Sequence, residues 1–533
     1  MPEVKEGRPI MTVAEHEAET VAAKPVHTRA LIIGTGFSGL GMGIELQKRG
    51  VEFLILEKAD EIGGTWRDNT YPGCACDIPS HMYSFSFEPK PDWKHMWSFQ
   101  PEIFDYLKGV ADKYGLRRYI RFGSHVDRAH WDEEEMRWHV FTKDGREFVA
   151  QFVISGAGGL HIPLIPDFEG LDEYQGAAFH SAEWDHGVDL TGKRVAVIGT
   201  GASAIQIVPE IVKDVAALQL YQRTPAWVMP RPNNPIPEWM QRMFATVPGT
   251  RRLMRAGIYW AHEAVGFAMT REPRLLKIGE LLGKWNINRS IKDPELRRKL
   301  TPDYRAGCKR ILNSDTYYHG IANPKTEVIT DGIARFTPSG IVTADEHGRA
   351  TEREVDVVVF ATGFHVTDSY TYVHIKGLGG EDLVDRWNRE GIAALRGITV
   401  ADMPNLFFLL GPNTALGHNS VVFMIESQIR YAAQAIAAVD RAGAQALTPT
   451  REAQDRYNAE LQDELAGTVW STGGCRSWYL DEHGVNRTLW SGMTWQYWLA
   501  TRTFDPSEYR IWGTRRDTPT QDVAVPDVVA PQG

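Results

Sequence analysis

One stretch decides the fold, Lys193-Arg194-Val195-Ala196-Val197-Ile198-Gly199-Thr200-Gly201-Ala202-Ser203-Ala204. An apolar run typical of a buried parallel strand leads directly into a glycine turn and then into a helical pattern. In such strand–turn–helix units the glycines let the backbone approach a pyrophosphate, and the helix N-terminus binds the phosphates. Ala204 stands at the third glycine position, where the pattern tolerates alanine. The stretch therefore predicts a nucleotide-binding unit in the middle of the chain.

A first copy of the unit lies near residue 34. An apolar strand ends in Gly34-Thr35-Gly36-Phe37-Ser38-Gly39, a helical stretch follows, and the next strand ends in Glu57. A carboxylate at this distance suits the ribose hydroxyls of an adenosine. The second unit ends instead in Arg223, whose guanidinium suits the 2′-phosphate of NADP. We therefore predict an α/β fold with two Rossmann-like dinucleotide-binding domains, the first for FAD and the second for NADPH.

The order of the two units along the chain predicts discontinuous domains. Two buried strands end in small-residue turns, at 152–158 and 355–364, which indicates that the chain leaves the first domain and later returns to it. Long amphipathic stretches between them predict a helical insertion in the NADP domain. The predicted divisions are a flexible tail (1–27), the FAD domain (28–160 and 357–512), the NADP domain (161–225 and 309–356), the insertion (226–308) and a loose C-terminal tail (513–533).

Composition narrows the classes of function. Lys and Arg number 58 and Asp and Glu 68, a net charge of −10, which argues against nucleic acid or an anionic membrane as the main partner. We find no run of ~18 uncharged apolar residues and no signal-peptide pattern, so we predict no membrane span and a cytoplasmic protein. The four cysteines are expected to be free thiols in a reducing compartment: Cys74, Cys76, Cys308 and Cys475.

Two motifs resemble those of the type I Baeyer–Villiger monooxygenases. Residues 174–185 resemble the pattern F-x-G-x-x-x-H-x-x-x-W-[P/D], with matches at Gly176, His180, Trp184 and Asp185 and with Tyr174 in place of Phe. Residues 63–77 resemble the pattern [A/G]-G-x-W-x-x-x-x-[F/Y]-P-[G/M]-x-x-x-D without a mismatch. The resemblance covers the chain from about 28 to 510.

The resemblance implies a reaction and a set of roles. NADPH would reduce FAD, O2 would give a flavin C4a-peroxide, and the peroxide would convert a ketone into an ester or lactone. Arg310 would be the catalytic arginine and Asp77 the carboxylate that positions it. Lys309 and Arg223 would hold the 2′-phosphate, Trp478 would contact bound NADP, and His180 would act at a distance through domain motion.

The other predicted cofactor contacts follow from the turns. Gly64 permits close approach of backbone to a ligand, and Trp66 and Tyr71 suit the two sides of a flat ring. A strand, turn and helix beginning near Val421 would direct a positive dipole end at the flavin. The remaining predicted contacts are Lys58, Thr65, Asp68, Thr224, Ala361, Thr362, Gly363 and Asn413.

Two alternatives stay open. An N- or S-oxygenating flavin monooxygenase would share the cofactors, and Trp184 together with the Lys309-Arg310 pair favours ketone oxygenation over it. A non-catalytic redox sensor would bind the nucleotides without turnover. A disulfide reductase is disfavoured because no redox C-x-x-x-x-C motif follows the first unit.

Overall fold

The computed structural model describes residues 24–366 and 373–514. In chain order, the strands of this part are Val26–Ile33 (β1), Phe53–Leu56 (β2), Ile120–Arg121 (β3), Val126–Asp132 (β4), Arg137–Thr142 (β5), Glu147–Ser155 (β6), Ala177–His180 (β7), Arg194–Ile198 (β8), Ala217–Tyr221 (β9), Val228–Met229 (β10), Leu312–Asn313 (β11), Thr326–Ile329 (β12), Gly332–Thr337 (β13), Gly340–Ala344 (β14), Ala350–Glu354 (β15), Val357–Phe360 (β16), His374–Lys376 (β17), Leu406–Phe408 (β18), Ala446–Pro449 (β19) and Tyr509–Trp512 (β20).

The α-helices of the same residues are Phe37–Lys48 (α1), Thr65–Asp68 (α2), Gln100–Lys113 (α3), Ala202–Ile211 (α4), Glu238–Thr246 (α5), Thr250–Thr270 (α6), Leu276–Ser290 (α7), Pro294–Leu300 (α8), Tyr317–Ile321 (α9), Leu383–Glu390 (α10), Val421–Arg441 (α11), Arg451–Ala466 (α12), Val469–Thr472 (α13) and Thr494–Thr501 (α14). None of the helices in this part of the chain is long and apolar enough to cross a bilayer.

The first sheet contains the first nucleotide unit. Its strand order is β17-β4-β5-β6-β1-β2-β3, and β18 pairs with the second half of β6. The central pairs β6-β1, β1-β2 and β2-β3 are parallel, and all of β2, residues 30–32 of β1 and residues 148–154 of β6 are buried on both faces. Helix α1 approaches α11 closely, because a Cβ on Gly41 would lie 2.7 Å from the side chain of Ile429.

The second sheet contains the second nucleotide unit. Its order is β12-β9-β8-β16-β7, and every pair is parallel. The antiparallel sheet β13-β14-β15 connects β12 to β16. The predicted fold class is therefore confirmed: an α/β protein with two units of the dinucleotide-binding type.

The chain crosses between the sheets twice. It leaves the first sheet after Ser155 and leaves the second after Phe360, and the two linkers pair through Leu164 N–H to Gly363 C=O at 3.0 Å. Strand β16, which we had assigned to the second part of the FAD domain, pairs with β8 and β7 in the second sheet. The crossing therefore follows residue 360 and not residue 356.

Helices α5 to α8 occupy the region predicted as a helical insertion. The insertion is closed by strands β10 and β11, which pair in parallel. At the N-terminus, β1 begins at Val26, two residues inside the predicted tail, because 26–32 pairs with β6. Residues 1–23 and 515–533, the greater part of both predicted tails, lie outside the described residues.

Candidate active site

The turn after β1 has the geometry of a phosphate-binding loop. Gly34 has φ +94°, and a Cβ on Gly39 would lie 1.8 Å from the carbonyl oxygen of Gly34. Both positions therefore require glycine. Gly36 caps α1 without a side-chain hydrogen bond, and a Cβ added there would meet no atom within 4 Å. The space beside the N-cap of the helix is thus open.

The turn after β8 repeats this arrangement. Gly199 has φ +116° and lies against the carbonyl group of Ala361, while Gly201 caps α4 and faces open space. The hydroxyl of Thr200 donates to the carbonyl of Thr224 at 2.9 Å. Ala202 and Ser203 are the first residues of α4. Each sheet therefore presents an uncapped helix N-terminus beside a glycine turn, a ready site for a phosphate.

Glu57 lies at the end of β2, as predicted, and is almost fully buried. Its carboxylate accepts from the Thr35 N–H at 3.0 Å and from Arg67 Nη1 at 2.9 Å. The G-G-x-W segment reaches the same turn, since a Cβ on Gly64 would lie 3.3 Å from the Cα of Gly36. Thr65 begins α2, and Trp66 Nε1 donates to the Tyr83 hydroxyl at 3.2 Å.

A cavity of about 190 Å³ lies between the residues that follow β2 and the linkers. Lys58 and Asp68 of the first unit line one side, and His161 and Phe364 of the two linkers line the other. Thr362 donates its hydroxyl to the Leu164 carbonyl, which fixes one linker on the other.

Arg310 and Asp77 meet between the two sheets. Nε and Nη2 of Arg310 donate to one carboxylate oxygen of Asp77 at 2.8 and 2.6 Å. The negative charge of Asp77 raises the pKa of Arg310 further above its ordinary value, so the guanidinium is permanently charged. Nη1 has no hydrogen-bond partner among the described residues, and the side chain remains 31% exposed. The arginine is held on one side and free on the other.

Arg223 and Lys309 form a second cationic pair. Burial, and then the charge of Arg223, lower the pKa of the Lys309 ammonium group. Neither side chain has a carboxylate within ion-pair distance in the described part of the chain. The charge of Asp303 acts on Lys309 from beyond ion-pair distance, and two neighbouring cations without a direct carboxylate partner favour the binding of an anion between them. The arrangement suits a phosphate.

One glutamine on α4 joins the two halves of the site. Gln206 Oε1 accepts from the Tyr71 hydroxyl at 3.0 Å and from the Ala75 N–H at 3.2 Å, and its Nε2 donates to the Ala75 carbonyl at 3.0 Å. The segment that carries Asp77 is therefore anchored to the second nucleotide unit. No sequence motif pointed to Gln206, because its role depends on the packing of α4 on the 71–77 loop.

A second guanidinium lies beside Asp77. Arg231 donates to the carbonyl of Cys76 at 3.2 Å, and burial lowers the pKa of Arg231. Sequence reasoning missed this residue. Its only signal was the position in the proline-rich stretch that follows the second nucleotide unit.

The 174–185 motif covers β7 and the turn after it. Gly176 is required because a Cβ there would lie 2.6 Å from the Asp356 carbonyl. The Tyr174 hydroxyl donates to the Val355 carbonyl at 3.0 Å, a bond that phenylalanine could not make. Trp184 packs edge-on against Phe179, and Asp185 accepts from the N–H of Gly187 at 2.8 Å.

His180 is buried beneath the linker. Its Nδ1 accepts the Ala182 N–H at 3.1 Å, and its ring packs edge-on against Phe364. Burial lowers its pKa to about 4. The histidine therefore contacts a segment that connects the domains and lies apart from the Arg310–Asp77 pair.

The remaining predicted residues differ in their surroundings. Asn413 has φ +55°, and its side-chain amide donates inward to the carbonyls of Asn486 and Leu489. Trp478 is 42% exposed and packs on Tyr479, whose ring lies near the Arg310 charge. Helix α11 begins at Val421, as predicted, with Ser420 as its N-cap.

The expectation of four free thiols is wrong. Cys308 and Cys475 form a disulfide bond, whereas Cys74 and Cys76 are free and buried. The pair could not be inferred from the sequence, because the two residues meet only once the insertion and the C-terminal loop have folded. Because two of the four cysteines are oxidised, the cysteines do not indicate a reducing compartment, and the cytoplasmic location stays a prediction.

Comparison with known proteins agrees with this geometry. The profile of the flavin-binding monooxygenase-like family matches residues 27–246. A Baeyer–Villiger monooxygenase of Pseudomonas aeruginosa is 49% identical over 490 residues, which cover 92% of this chain and 92% of the relative. The chain belongs to the Baeyer–Villiger monooxygenase family. A Baeyer–Villiger monooxygenase of Streptomyces coelicolor is 47% identical over 91% of this chain and 93% of its own length.

Solved structures of two monooxygenases share the fold over most of this chain. An oxidised steroid monooxygenase bound to NADP superposes with a TM-score of 0.82 at 30% identity, covering 91% of this chain and 100% of the other. A cyclohexanone monooxygenase from Rhodococcus bound to NADP+ gives a TM-score of 0.82 at 29% identity, with 92% and 100% covered.

Proposed function

We propose that this chain is an FAD- and NADPH-dependent enzyme that inserts one oxygen atom of O2 beside a ketone carbonyl to give an ester or lactone. The observation that carries the proposal is the Arg310 guanidinium, which Asp77 holds by two nitrogens while Nη1 stays free between the two nucleotide units. When bound, FAD reduced by NADPH supplies the activation of O2. The residues of this chain supply binding, orientation and charge.

The first unit fits FAD. The uncapped N-terminus of α1 would bind the pyrophosphate over Gly36, where there is room for it. Glu57 would accept from the adenosine ribose, and Arg67 holds that carboxylate in place. Trp66 and Tyr71 would flank the ring system from the loop that ends at Asp77.

The second unit fits NADPH. The N-terminus of α4 would bind the pyrophosphate over Gly201, and Arg223 with Lys309 would bind the 2′-phosphate. Trp478, an exposed aromatic ring that packs on Tyr479, would pack against the bound nucleotide. NADH lacks the 2′-phosphate, so the Arg223–Lys309 pair would favour NADPH over NADH.

Arg310 would stabilise negative charge as it develops. A guanidinium cannot lose its proton in this environment, so it can stabilise an oxyanion without quenching it. Asp77 orients the planar donor group, and Gln206 with Arg231 fixes the loop that carries Asp77. These residues would keep a fixed positive charge beside the oxygen atom on which negative charge develops.

The test is product analysis with purified enzyme, NADPH and a panel of ketones under ¹⁸O2. The proposal requires one ¹⁸O atom in each ester or lactone, the second appearing in water, with NADPH consumed in equal amount. A parallel panel of amines and sulfides provides the comparison. Oxygenation of those compounds with no ester from any ketone would reject the proposal in favour of an N- or S-oxygenase, and NADPH binding without turnover would favour a sensor.

A further inference from the structure

The outer face of α6 is apolar. Leu253, Trp260 and Phe267 are 76%, 61% and 48% exposed, and their spacing places them on one side of the helix. Between 253 and 267, every exposed position is occupied by Gly, Ala, Val, Leu, Phe or Trp. A helix at a water-facing surface normally has charged residues on this side.

The polar residues of α6 instead face the protein. Arg255 Nη1 donates to the carbonyls of His81 and Ser84 at 2.8 and 3.1 Å. Glu263 is buried and accepts from Asn419 Nδ2 at 2.6 Å and from the Thr494 hydroxyl at 2.6 Å. The interior contacts fix the orientation of the helix, so the apolar side cannot rotate inward without breaking them.

Helix α7 has an outer face of related character. Ile278, Leu281 and Trp285 are 69%, 68% and 52% exposed, again at helical spacing. Lys277 and Lys284 are exposed next to them. The combination of exposed apolar residues with flanking lysines is typical of helices that lie in the surface of a membrane.

The charge of this region is opposite in sign to that of the whole chain. Residues 250–290 contain eight Lys and Arg and three Asp and Glu, whereas the chain has 58 and 68. Of the three acids, Glu263 faces inward and Glu280 pairs with Arg305. Four exposed cations have no carboxylate partner among the described residues: Arg252, Arg271, Lys277 and Lys284.

We propose that the outer faces of α6 and α7 bind the surface of a bilayer that contains anionic phospholipid. The apolar side chains would enter the headgroup region, and the four cations would face the lipid phosphates. The net charge of −10 argues against an anionic membrane when the whole chain is considered, but charges beyond a Debye length of about 8 Å are screened, so the local excess of cations decides the binding of this region. A second copy of the chain fits less well, since a symmetric contact would bring the same cations together.

The test is cosedimentation of the full-length protein with vesicles. We expect binding to phosphatidylcholine vesicles that contain phosphatidylglycerol, weaker binding to pure phosphatidylcholine, and release as NaCl is raised. Leu253→Ser with Trp260→Ser should weaken binding about tenfold or more. Lys277→Gln with Lys284→Gln should weaken binding roughly fivefold per residue, and only to the anionic vesicles.

The matched control is Trp495→Ser with Leu499→Ser, which removes an exposed Trp and Leu from α14. This variant should bind like the parent, and circular dichroism confirms that each variant folds. The proposal is overturned if the parent binds neither vesicle or if the control loses as much binding as the α6 variant. It is also overturned if sedimentation velocity shows a dimer that Trp260→Ser dissociates while vesicles have no effect, because the face is then a self-interface.

Discussion

Cys308 and Cys475 are joined by a disulfide bond across a separation of 167 residues. Cys308 immediately precedes the Lys309-Arg310 pair, and Cys475 begins the loop that carries Trp478 and Tyr479. Next to the bond, the Arg305 N–H donates to the Gly473 carbonyl at 3.1 Å. The disulfide therefore fixes the loop that carries Trp478, the proposed NADP contact, to the segment that carries the proposed catalytic guanidinium of Arg310.

Removing this bond should loosen the loop. We expect Cys308→Ser with Cys475→Ser to lower the free energy of unfolding by about 2–5 kcal/mol, since a long loop is no longer closed. The affinity for NADP+ should also fall, because Trp478 loses its support. Thermal unfolding and NADP+ titration measure the two effects.

Thiol counting provides the control. The denatured, unreduced parent should expose two thiols, Cys74 and Cys76, and four after reduction. Dithiothreitol should lower the melting temperature of the parent and leave that of the double variant unchanged. Four thiols before reduction would contradict the disulfide.

The sequence revealed those parts of the site that depend on local backbone geometry. Gly34 and Gly199 need positive φ, and Gly39 has no room for a Cβ, so their pattern is visible in any chain with this turn. Asp77 and Arg310 are 233 residues apart, and only the family resemblance linked them. No local rule could have paired them.

Other features depended on packing that a linear pattern does not encode. Gln206 can anchor the 71–77 loop only because α4 packs against that loop in the folded protein. The Cys308–Cys475 bond forms because the end of the insertion lies beside the C-terminal loop. From the sequence alone, Ile258 to Met269 is apolar enough to cover a substrate or pack against lipid, and its interruption by His262 and Glu263 favours packing on protein. The side of α6 that faces outward could be identified only from the contacts of Glu263 with Asn419 and Thr494, which show the inward side.

Arg310 can be tested by separating reduction from oxygenation. We expect Arg310→Ala to retain NADPH-driven flavin reduction within a few-fold and to lose about 10²–10³ in the rate of ester formation. Arg310→Lys should restore little, because a lysine cannot place two donors on Asp77 in the same plane. Stopped-flow absorbance measures reduction, and chromatography measures the ester. Normal ester formation by Arg310→Ala would show that the assigned role is wrong.

The cationic pair predicts a change in coenzyme preference. Arg223→Ala should raise the KM for NADPH roughly 10- to 100-fold, the effect of losing a charge-assisted hydrogen bond of about 1.5–3 kcal/mol. The kinetics with NADH should change little, because NADH has no 2′-phosphate. Steady-state oxidation of both coenzymes provides the measurement.

Arg242→Ala is the matched control for this change, since Arg242 is an exposed arginine paired only with Glu238 on the insertion. It should leave both KM values unaltered. An equal loss with NADPH and NADH in Arg223→Ala would mean that Arg223 supports the fold of the domain and does not recognise the phosphate.

His180 predicts a loss of stability in acid. Its Nδ1 must be unprotonated to accept the Ala182 N–H, and burial lowers its pKa from 6.5 to about 4. Between these two values the unfolded chain binds a proton that the folded chain does not, so the free energy of unfolding falls as the pH falls from 6.5 towards 4. The full contribution of this residue is about 3 kcal/mol at most. Above that window the histidine is neutral in both states and contributes no pH dependence.

We expect His180→Asn to reduce this loss of stability at low pH, because asparagine can accept the Ala182 N–H without titrating. Urea unfolding at about pH 7 and about pH 5 gives the difference in stability, which should be smaller in the variant than in the parent. The variant should still lose some stability at low pH, since burial also lowers the pKa of His81 to about 4. His347→Gln, a change at an exposed histidine, should leave the difference unchanged. If His180→Asn loses as much stability as the parent between the two pH values, the buried imidazole is not the group that titrates.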